Sequence, residues 1–314
     1  MTDYRKLLGV DAIAEAADYG RGVKVAVVDT GIPLVDSIPV VIAEDFTPAV
    51  PGRSGDVEHA TAVGSILFGD GVVQGICPRA TSCFAKVFQS AYTARPEAVA
   101  TAVDCAAFLW GADIINLSLG FSGDRECSPA LKAACERAIM RGVVIVASAG
   151  NDGGSVMWPA ALQGVVSVGA FRDDGDGRES YSNCGKVDVV APGTDMLVLG
   201  ANGFPTTRSG TSYSTAAVSG LLALLLARRR IKDPSARACD VKDELLSMCV
   251  DLGAPGMDAA TGHGCPFRRL VPRKSIFSKV MLSLYTFFAI IKENTRKAMA
   301  ALKPRRKKTN EKQL

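Results

Sequence analysis

Three side chains in this 314-residue sequence could together carry acid–base and nucleophilic chemistry, and the first is Ser212. It lies in the run Gly210-Thr211-Ser212, which leads into a small and apolar helix pattern. At a helix N-terminus its backbone N–H would be free, and the helix dipole would favour negative charge beside it. Such a serine can act as a nucleophile whose own amide helps to bind an oxyanion. The same motif is also common capping chemistry, so taken alone it leaves both interpretations open.

A base for this serine must come from very few histidines. The sequence contains two, His59 and His263. Imidazole is the side chain whose ordinary pKa lies nearest neutral pH, so we expect the base to be one of these two. His59 stands at the start of a segment of small residues, Ala60 to Gly64, which predicts a tightly packed helix.

Asp29 is the third of these side chains. It follows the β-branched run 23–28 and precedes Thr30-Gly31, which predicts a buried strand that ends in an acid, where open α/β sheets place ligands and chemistry. An aspartate in such a place is often only a turn former. Asp-Thr-Gly is also the motif of the aspartic proteases, which use two such carboxylates. No second copy occurs in the sequence, so that interpretation would require a homodimer.

The elements that must position these residues alternate along the chain. Strands are predicted at 23–28, 81–88, 112–117, 143–147, 165–168 and 187–190, and helices at 3–19, 56–68, 97–110, 128–141 and from Ser212 onward. This alternation predicts a parallel sheet flanked by helices on both faces. In such a sheet Asp29, Ser118 and Asn151 leave strands at the same edge, so three polar loops converge there.

Composition favours one large core in a reducing compartment. Hydrophobic residues make up 48% of the chain, and the 31 glycines and sparse aromatics suit helices packed closely on a parallel sheet. The nine cysteines are odd in number and include no Cys-x-x-Cys pair, which favours reduced thiols over a disulfide framework or a zinc site. The N-terminal residues lack the apolar run of a secretory signal. We therefore expect a cytoplasmic protein.

The basic charge is concentrated near the C-terminus. Residues 292–314 hold nine Lys or Arg and two Glu, a net of +7 in a chain of net +4. The preceding segment, 275–291, carries one charge and has a wide apolar face at helical spacing, but it falls short of the ~20 residues that span a bilayer. We expect it either to lie in a membrane surface, with the basic segment 303–308 as a second signal, or to pack on protein. Nucleic acid is a less favoured partner, because no base-stacking aromatics lie among the basic residues.

Four short motifs together resemble those of the subtilisin-like serine proteases, the subtilases or peptidase S8 family. They are Asp29-Thr30-Gly31, His59-Ala60-Thr61, Ala149-Gly150-Asn151 and Gly210-Thr211-Ser212, in the family's order and near its spacings. Further local matches are Gly75-Ile-Cys-Pro78, Lys86-Val87, Asn116-Leu-Ser-Leu-Gly120, Trp158-Pro159 and Ala191-Pro-Gly193. The resemblance covers residues 10–270. It implies a subtilisin-like three-layer α/β fold over 1–270, with a mostly parallel central sheet, and it leaves 271–314 as a C-terminal helical tail.

The resemblance implies a catalytic role for four residues. Ser212 attacks the scissile carbonyl, and His59 takes its proton and returns it to the leaving amine. Asp29 fixes the imidazole tautomer and stabilises its charged form. Asn151, together with the Ser212 amide, binds the oxyanion. His263 matches the turn that closes the family's catalytic domain, so it is interpreted as structural.

The resemblance also implies where a substrate would bind. The partner would be a polypeptide in extended conformation, added as a strand to the backbone. The residues expected to line it are Ser118, Leu119, Gly120, Ala149, Gly150 and Met157. Met157 resembles the floor of the pocket for the residue before the cut, and a methionine there would favour small or medium side chains. Asp152, beside the oxyanion residue, would instead attract a basic side chain, so the two indications conflict.

The chain departs from the family's pattern at two positions. Ala60 stands where a glycine usually follows the histidine, and Ala216 stands where a proline usually lies four residues after the serine. The predicted entry helix begins almost at Met1 and leaves no room for a pro-segment, and family members without one are generally intracellular. The resemblance leaves calcium open as a cofactor, but no metal site is assigned, because the acidic segment 172–178 lacks the ordered ligand spacing of a calcium loop.

The sequence therefore predicts a cytoplasmic serine endopeptidase, peripheral at the inner face of a membrane if its tail binds there. We expect it to process an intracellular protein or peptide precursor, since unrestricted proteolysis without a pro-segment would endanger the cell. Two alternatives stay open. One is a catalytically silent subtilase fold used for binding, against which the intact polar residues argue. The other is a membrane-associated scaffold in which the C-terminal helix is the function.

Overall fold

The computed structural model of this chain describes residues 3–47, 56–90, 93–123, 126–171 and 177–266. They belong to the first of two units, Met1–Arg269, and the second, Leu270–Leu314, lies outside them. The predicted helix 275–291 and basic segment 303–308 are therefore outside the described residues, as are most residues of the segment considered for calcium. The division into a domain of 1–270 and a tail stays a prediction.

Thirteen strands form within the described ranges. They are β1 Lys24–Asp29, β2 Ile42–Asp45, β3 Thr81–Lys86, β4 Phe88–Ser90, β5 Thr93–Ala94, β6 Ile114–Leu117, β7 Val144–Ser148, β8 Val166–Phe171, β9 Val189–Pro192, β10 Met196–Leu199, β11 Pro205–Arg208, β12 Cys249–Val250 and β13 Cys265–Pro266. Seven of them make one parallel sheet in the order β2, β3, β1, β6, β7, β8, β9. The strands at the centre of this sheet are apolar runs buried along nearly their whole length, as expected of a parallel sheet covered by helices.

The described helices lie between these strands in the chain. They are α1 Tyr4–Leu7, α2 Asp11–Ala14, a 3₁₀ helix Glu15–Gly20, α3 Glu58–Phe68, α4 Pro96–Asp104 with a π-helical turn Cys105–Leu109, α5 Pro129–Met140, α6 Thr211–Arg230 and α7 Cys239–Ser247. Helix α6 packs on α3 and on the middle of the sheet, while α4 and α5 pack on each other and contact strands of the same sheet. All side chains of α6 from Thr211 to Ala227 are buried, so this helix is the centre of the core.

The prediction of one entry helix over 3–19 is wrong. The segment breaks into α1, α2 and the 3₁₀ helix, because Gly9, Asp18 and Tyr19 adopt positive φ angles that an α-helix does not contain. The carboxylate of Asp18 bonds Arg21 and Arg79, which holds this turn in place. Leu8, Val10, Ala14 and Ala17 are nevertheless buried, so the pattern identified these core contacts correctly and the continuous helix incorrectly.

Other predicted elements occur with shifted ends. The helix predicted at 97–110 is α4 followed by the π-helical turn, with Pro96 as its first residue as expected. The strand predicted at 81–88 ends at Lys86, and the chain continues into the small antiparallel pair of β4 and β5. The hairpin of β10 and β11, which leads into α6, was not predicted.

Candidate active site

The carboxyl edge of the sheet gathers the predicted catalytic residues. Asp29 is the last residue of β1, Ser118 directly follows β6, and Asn151 lies three residues beyond β7. These strands are neighbours and parallel, so their ends lie at one edge. His59 and Ser212 are each the second residue of a helix, α3 and α6. The predicted placement of Ser212 at the start of a buried helix is confirmed.

Asp29 and His59 form a short hydrogen bond. The Nδ1 atom of His59 lies 2.8 Å from Oδ1 of Asp29, and the backbone N–H of Thr30 donates to the same oxygen at 2.6 Å. The Asp29 side chain is 1% exposed and that of His59 29%. A proton on Nδ1 satisfies this bond and leaves Nε2 as the acceptor, which is the tautomer a general base requires. The other carboxylate oxygen of Asp29 is buried and has no hydrogen-bond partner among the described residues.

Electrostatics favour the charged form of His59. Burial alone would lower its pKa, but the charge of Asp29, the hydrogen bond to it and the charge of Asp56 outweigh burial and raise the pKa above the ordinary value. The buried carboxylate therefore stabilises an imidazolium more than an imidazole. A reaction step in which His59 accepts a proton is assisted by this arrangement.

Ser212 is 8% exposed, and its hydroxyl points toward Ser118. Its Oγ donates to the backbone carbonyl of Ser118 at 3.2 Å, and the Oγ of Ser118 donates in turn to the backbone carbonyl of Ser212 at 2.8 Å. The described residues show no hydrogen bond between Ser212 and His59. The residue after Ser212, Tyr213, contacts the His59 ring with centroids 5.8 Å apart, so the start of α6 and the imidazole lie side by side.

Asn151 presents its amide beside the start of α6. Its Oδ1 accepts from the backbone N–H of Thr211 at 2.8 Å and from the Thr211 hydroxyl at 3.0 Å. These two donors identify Oδ1 and leave the Nδ2 group without a protein acceptor among the described residues. Gly210 caps the helix with a φ of 151°, and a Cβ there would come within 3.4 Å of Nδ2, so glycine keeps this space open. The arrangement can direct an N–H donor at an oxyanion beside Ser212.

Met157 fills the space between the two predicted substrate-binding segments. A Cβ on Gly120 would lie 2.9 Å from the Cβ of Met157, and a Cβ on Gly150 would lie 3.0 Å from its Cγ. The backbone N–H of Met157 donates to the carbonyl of Ala149 at 2.9 Å. Leu119 is tied to the same region, because its carbonyl accepts from the Ser148 hydroxyl at 3.2 Å. Met157 therefore has the position that a pocket floor would require.

An open cavity of about 530 Å³ lies directly beyond this region. It is lined by Pro96, Phe121, Ser122, Glu126, Cys127, Ser128, Leu131 and Trp158. Phe121 and Trp158 exchange two backbone hydrogen bonds of 2.7 and 2.9 Å, which join the segment after Gly120 to the segment after Met157. The cavity was not predicted, because its walls come from segments far apart in the sequence.

Three further contacts around the site also escaped the sequence analysis. The Nη2 group of Arg208 lies 2.6 Å from Oε1 of Glu58, the residue before His59. The Nδ2 group of Asn116 donates to the Ser118 hydroxyl at 2.9 Å, and its Oδ1 accepts from the Ser219 hydroxyl at 3.0 Å. The third contact is the ring of Tyr213 on His59. Each of these residues lies within seven positions of a predicted site residue in the sequence, which is the signal that could have directed attention to it.

Two further residues from the sequence analysis, His263 and Asp152, are both exposed. His263 is exposed between Gly262 and Gly264, both with positive φ, and its backbone N–H donates to the carbonyl of Asp188 at 2.8 Å. This placement agrees with a role in the turn. Asp152 is exposed, and its carboxylate accepts from the backbone N–H of Gly154 at 3.1 Å.

The metal and membrane predictions concern parts of the chain that the structure leaves mostly undescribed. Within the described ranges, no group of three or more His, Cys, Asp or Glu side chains is arranged to hold a metal ion, and residues 172–176 lie outside those ranges. Of the helices in the same ranges, none combines the length and apolarity needed to cross a bilayer.

Comparisons with known proteins identify the relatives of this chain. The Subtilase family model of peptidase S8 matches residues 20–264. Subtilisin DY of Bacillus licheniformis is 31% identical over 257 residues, which cover 79% of this chain and 90% of that protein. The minor extracellular protease Epr of Bacillus subtilis (strain 168) is 30% identical over 255 residues, and the match spans 38% of its length.

Solved structures agree with the sequence relatives. A mutant of the protease domain of PatA superposes with a TM-score of 0.69 at 28% identity, covering 78% of this chain and 92% of that one. The prenylagaramide maturation protease PagA superposes with a TM-score of 0.68 at 30% identity, covering 85% and 95%. The predicted subtilisin-like α/β fold and the predicted enzyme class are thereby confirmed. The chain belongs to the subtilase family of serine endopeptidases.

Proposed function

We propose that this chain cuts extended polypeptides by acyl transfer, with Ser212 as nucleophile, His59 as general base and Asp29 as the group that orients and stabilises the imidazole. The observation that carries the proposal is the 2.8 Å contact between Asp29 Oδ1 and His59 Nδ1 beside the start of α6. Asn151 and the backbone N–H of Ser212 bind the oxyanion, because the second N–H of a helix is not used by the helix's own hydrogen bonds.

Substrate binding and activation of Ser212 are coupled in this mechanism. In the free protein the Ser212 hydroxyl donates to the carbonyl of Ser118. A substrate that adds as a strand to the segment 118–120 offers a backbone N–H to that carbonyl. The hydroxyl then turns to Nε2 of His59, which takes its proton as Oγ bonds to the scissile carbon. The imidazolium returns the proton to the leaving amine, and water later releases the acyl group by the same route.

The proposed biological task is the trimming of a peptide or protein precursor inside the cell. PagA, a structural relative, is a maturation protease, which supports a dedicated substrate. The nine cysteines, odd in number, favour a reducing compartment such as the cytoplasm. A survey of a diverse peptide library tests this task. Efficient cutting at many unrelated sequences would count against a dedicated precursor.

A fluorophosphonate probe tests the catalytic proposal and separates it from a silent fold used only for binding. The probe reacts with an activated serine, so the wild-type chain should be labelled and Ser212→Ala should not. Ser235→Ala is the matched control, because that serine is exposed and its hydroxyl bonds Asp233. It should be labelled like the wild type. Equal labelling of Ser212→Ala and wild type would remove Ser212 from the proposed role.

A further inference from the structure

Tyr213, in the helix of the proposed nucleophile, places its ring against the ring of His59. Its ring lies 5.8 Å from the His59 ring, with planes tilted by 42°, a geometry favourable for two aromatic rings. The residue is 6% exposed, so the contact is shielded from solvent. The mechanism above assigns Tyr213 no task.

Tyr213 is uncharged under all conditions in which a histidine base works. Burial raises its pKa to about 12, with Arg208 lowering it and Asp29 and Glu58 raising it. The phenol therefore stays protonated and makes no ionic contribution to His59. What the residue offers the imidazole is a fixed, apolar surface of its ring.

A second contact, besides the two rings, lies near the starts of α3 and α6. The ion pair of Glu58 and Arg208 joins the residue before His59 to the end of β11. The other carboxylate oxygen of Glu58 accepts from the backbone N–H of Ala201 at 2.8 Å. These contacts join the start of α3 to the segment that leads into α6, and they support the packing of the two helices beside the ring contact.

The imidazole itself needs such a support. In the described part of the chain the His59 ring makes one hydrogen bond, through Nδ1, and a ring held at one atom can rock about that bond and carry Nε2 away from Ser212. We infer that Tyr213 is a positioning residue, whose ring limits this rocking and keeps Nε2 directed at the nucleophile. The inference rests on the proposed function, since it concerns the same base.

The ring contact has two consequences that can be measured separately. Loss of an aromatic pair should lower kcat by about 2- to 10-fold, with KM changed less, because substrate still binds the same backbone segments. Removal of the ring also admits water to His59. Since burial is the effect that lowers the His59 pKa, the pKa should rise further while Asp29 and Asp56, the charged groups that act on it, stay in place.

Three variants of the full chain test the inference. Tyr213→Phe keeps the ring, whereas Tyr213→Leu and Tyr213→Met keep an apolar side chain without it. We expect Phe to match wild type in kcat and KM, and Leu and Met both to lose kcat. Wild-type kcat in Leu and Met would overturn the inference. A loss in Phe equal to that in Leu would also overturn it, since the hydroxyl would then be the active part.

The titration of His59 is followed by NMR, which requires no turnover. Only two histidines contribute signals, and His263 is an internal control remote from Tyr213 in the sequence and exposed. We expect the His59 pKa to rise in Tyr213→Leu and Tyr213→Met and to stay unchanged in Tyr213→Phe, with the His263 signal the same in all three variants. An unchanged His59 pKa in Tyr213→Leu and Tyr213→Met would refute the inferred effect of the Tyr213 ring on His59. Failure of the proposed function would appear differently, as absence of probe labelling in the wild type.

Discussion

The contact between Asp29 and His59 makes the strongest quantitative prediction, and Asp29→Asn is the change that tests it. The asparagine keeps an oxygen that can accept from His59 and from the N–H of Thr30, so the geometry can persist while the charge is lost. With the charges about 4 Å apart and an effective dielectric of about 20, the lost attraction is about 4 kcal/mol. Because the His59 side chain is 29% exposed, solvent screening reduces this figure to about 2 to 3 kcal/mol, and we expect kcat/KM to fall by about 10²-fold.

The pH dependence of kcat/KM shows in which direction the charge of Asp29 shifts the His59 pKa. In the free enzyme His59 must be neutral to act as a base, so activity should fall as pH drops through its raised pKa. Without the charge of Asp29 burial is the larger remaining effect, and burial lowers the pKa. The acid limb of kcat/KM in Asp29→Asn should therefore move to lower pH even as the maximum falls.

Asp56→Asn is the matched control for this prediction. Asp56 is exposed, accepts from the backbone N–H of Glu58 at 2.9 Å and acts on His59 by charge without a hydrogen bond to it. Its replacement should shift the acid limb slightly in the same direction, less so at high salt, and leave the maximum near wild type. Kinetics on a peptide substrate from pH 5 to 9 provide the measurement. If Asp29→Asn keeps the wild-type acid limb, the charge of Asp29 does not set the protonation of His59.

Three shorter predictions concern the oxyanion, the pocket and the tail. Asn151→Asp keeps the acceptor for Thr211 but replaces the donor with a charge. We expect kcat to fall by at least the 10²- to 10³-fold measured for loss of such a donor in a subtilisin, with KM little changed. A wild-type kcat would contradict the assignment of Asn151 to the oxyanion. Met157→Ala should open the floor between Gly120 and Gly150 and raise kcat/KM about 10- to 100-fold for substrates with a large side chain before the cut, and an unchanged preference across a substrate series would place the pocket elsewhere. Liposome flotation of the full chain with and without residues 274–314, on anionic vesicles, should show binding that the shorter chain lacks, and equal flotation would remove the proposed membrane anchor.

The strands, and the polar residues at their carboxyl ends, were predictable because both depend on local patterns. The β-branched run before Asp29 must be buried on both faces, and a polar residue at its end must leave the sheet at the carboxyl edge. The same reasoning located Ser118 and Asn151, since β1, β6 and β7 share that edge. His59 and Ser212 lie on helices, and the hydrophobic pattern alone could not place them beside the strand ends. The order of the motifs along the chain connected them to that edge.

The contacts that escaped prediction are tertiary. The entry helix failed because Asp18 and Tyr19 adopt positive φ angles in a turn stabilised by Arg79, far away in the sequence. Tyr213 resembles any aromatic residue in a buried helix until the position of His59 is known. Its proposed role depends on the packing of α3 on α6, and the nearby ion pair joins Glu58 and Arg208, which are 150 positions apart.

Helix α6 begins one residue before Ser212, the proposed nucleophile, and is also the most deeply buried helix of the described fold. Side chains at all its positions from Thr211 to Ala227 are enclosed, so a motion that displaced the nucleophile by tilting the helix would have to disrupt the packing of the whole interior. Amide hydrogens in the middle of this helix should therefore exchange with solvent only through global unfolding. New cleavage preferences are therefore expected to arise in the surface segments around the site, while the proposed nucleophile is held in place by the stability of the molecule itself.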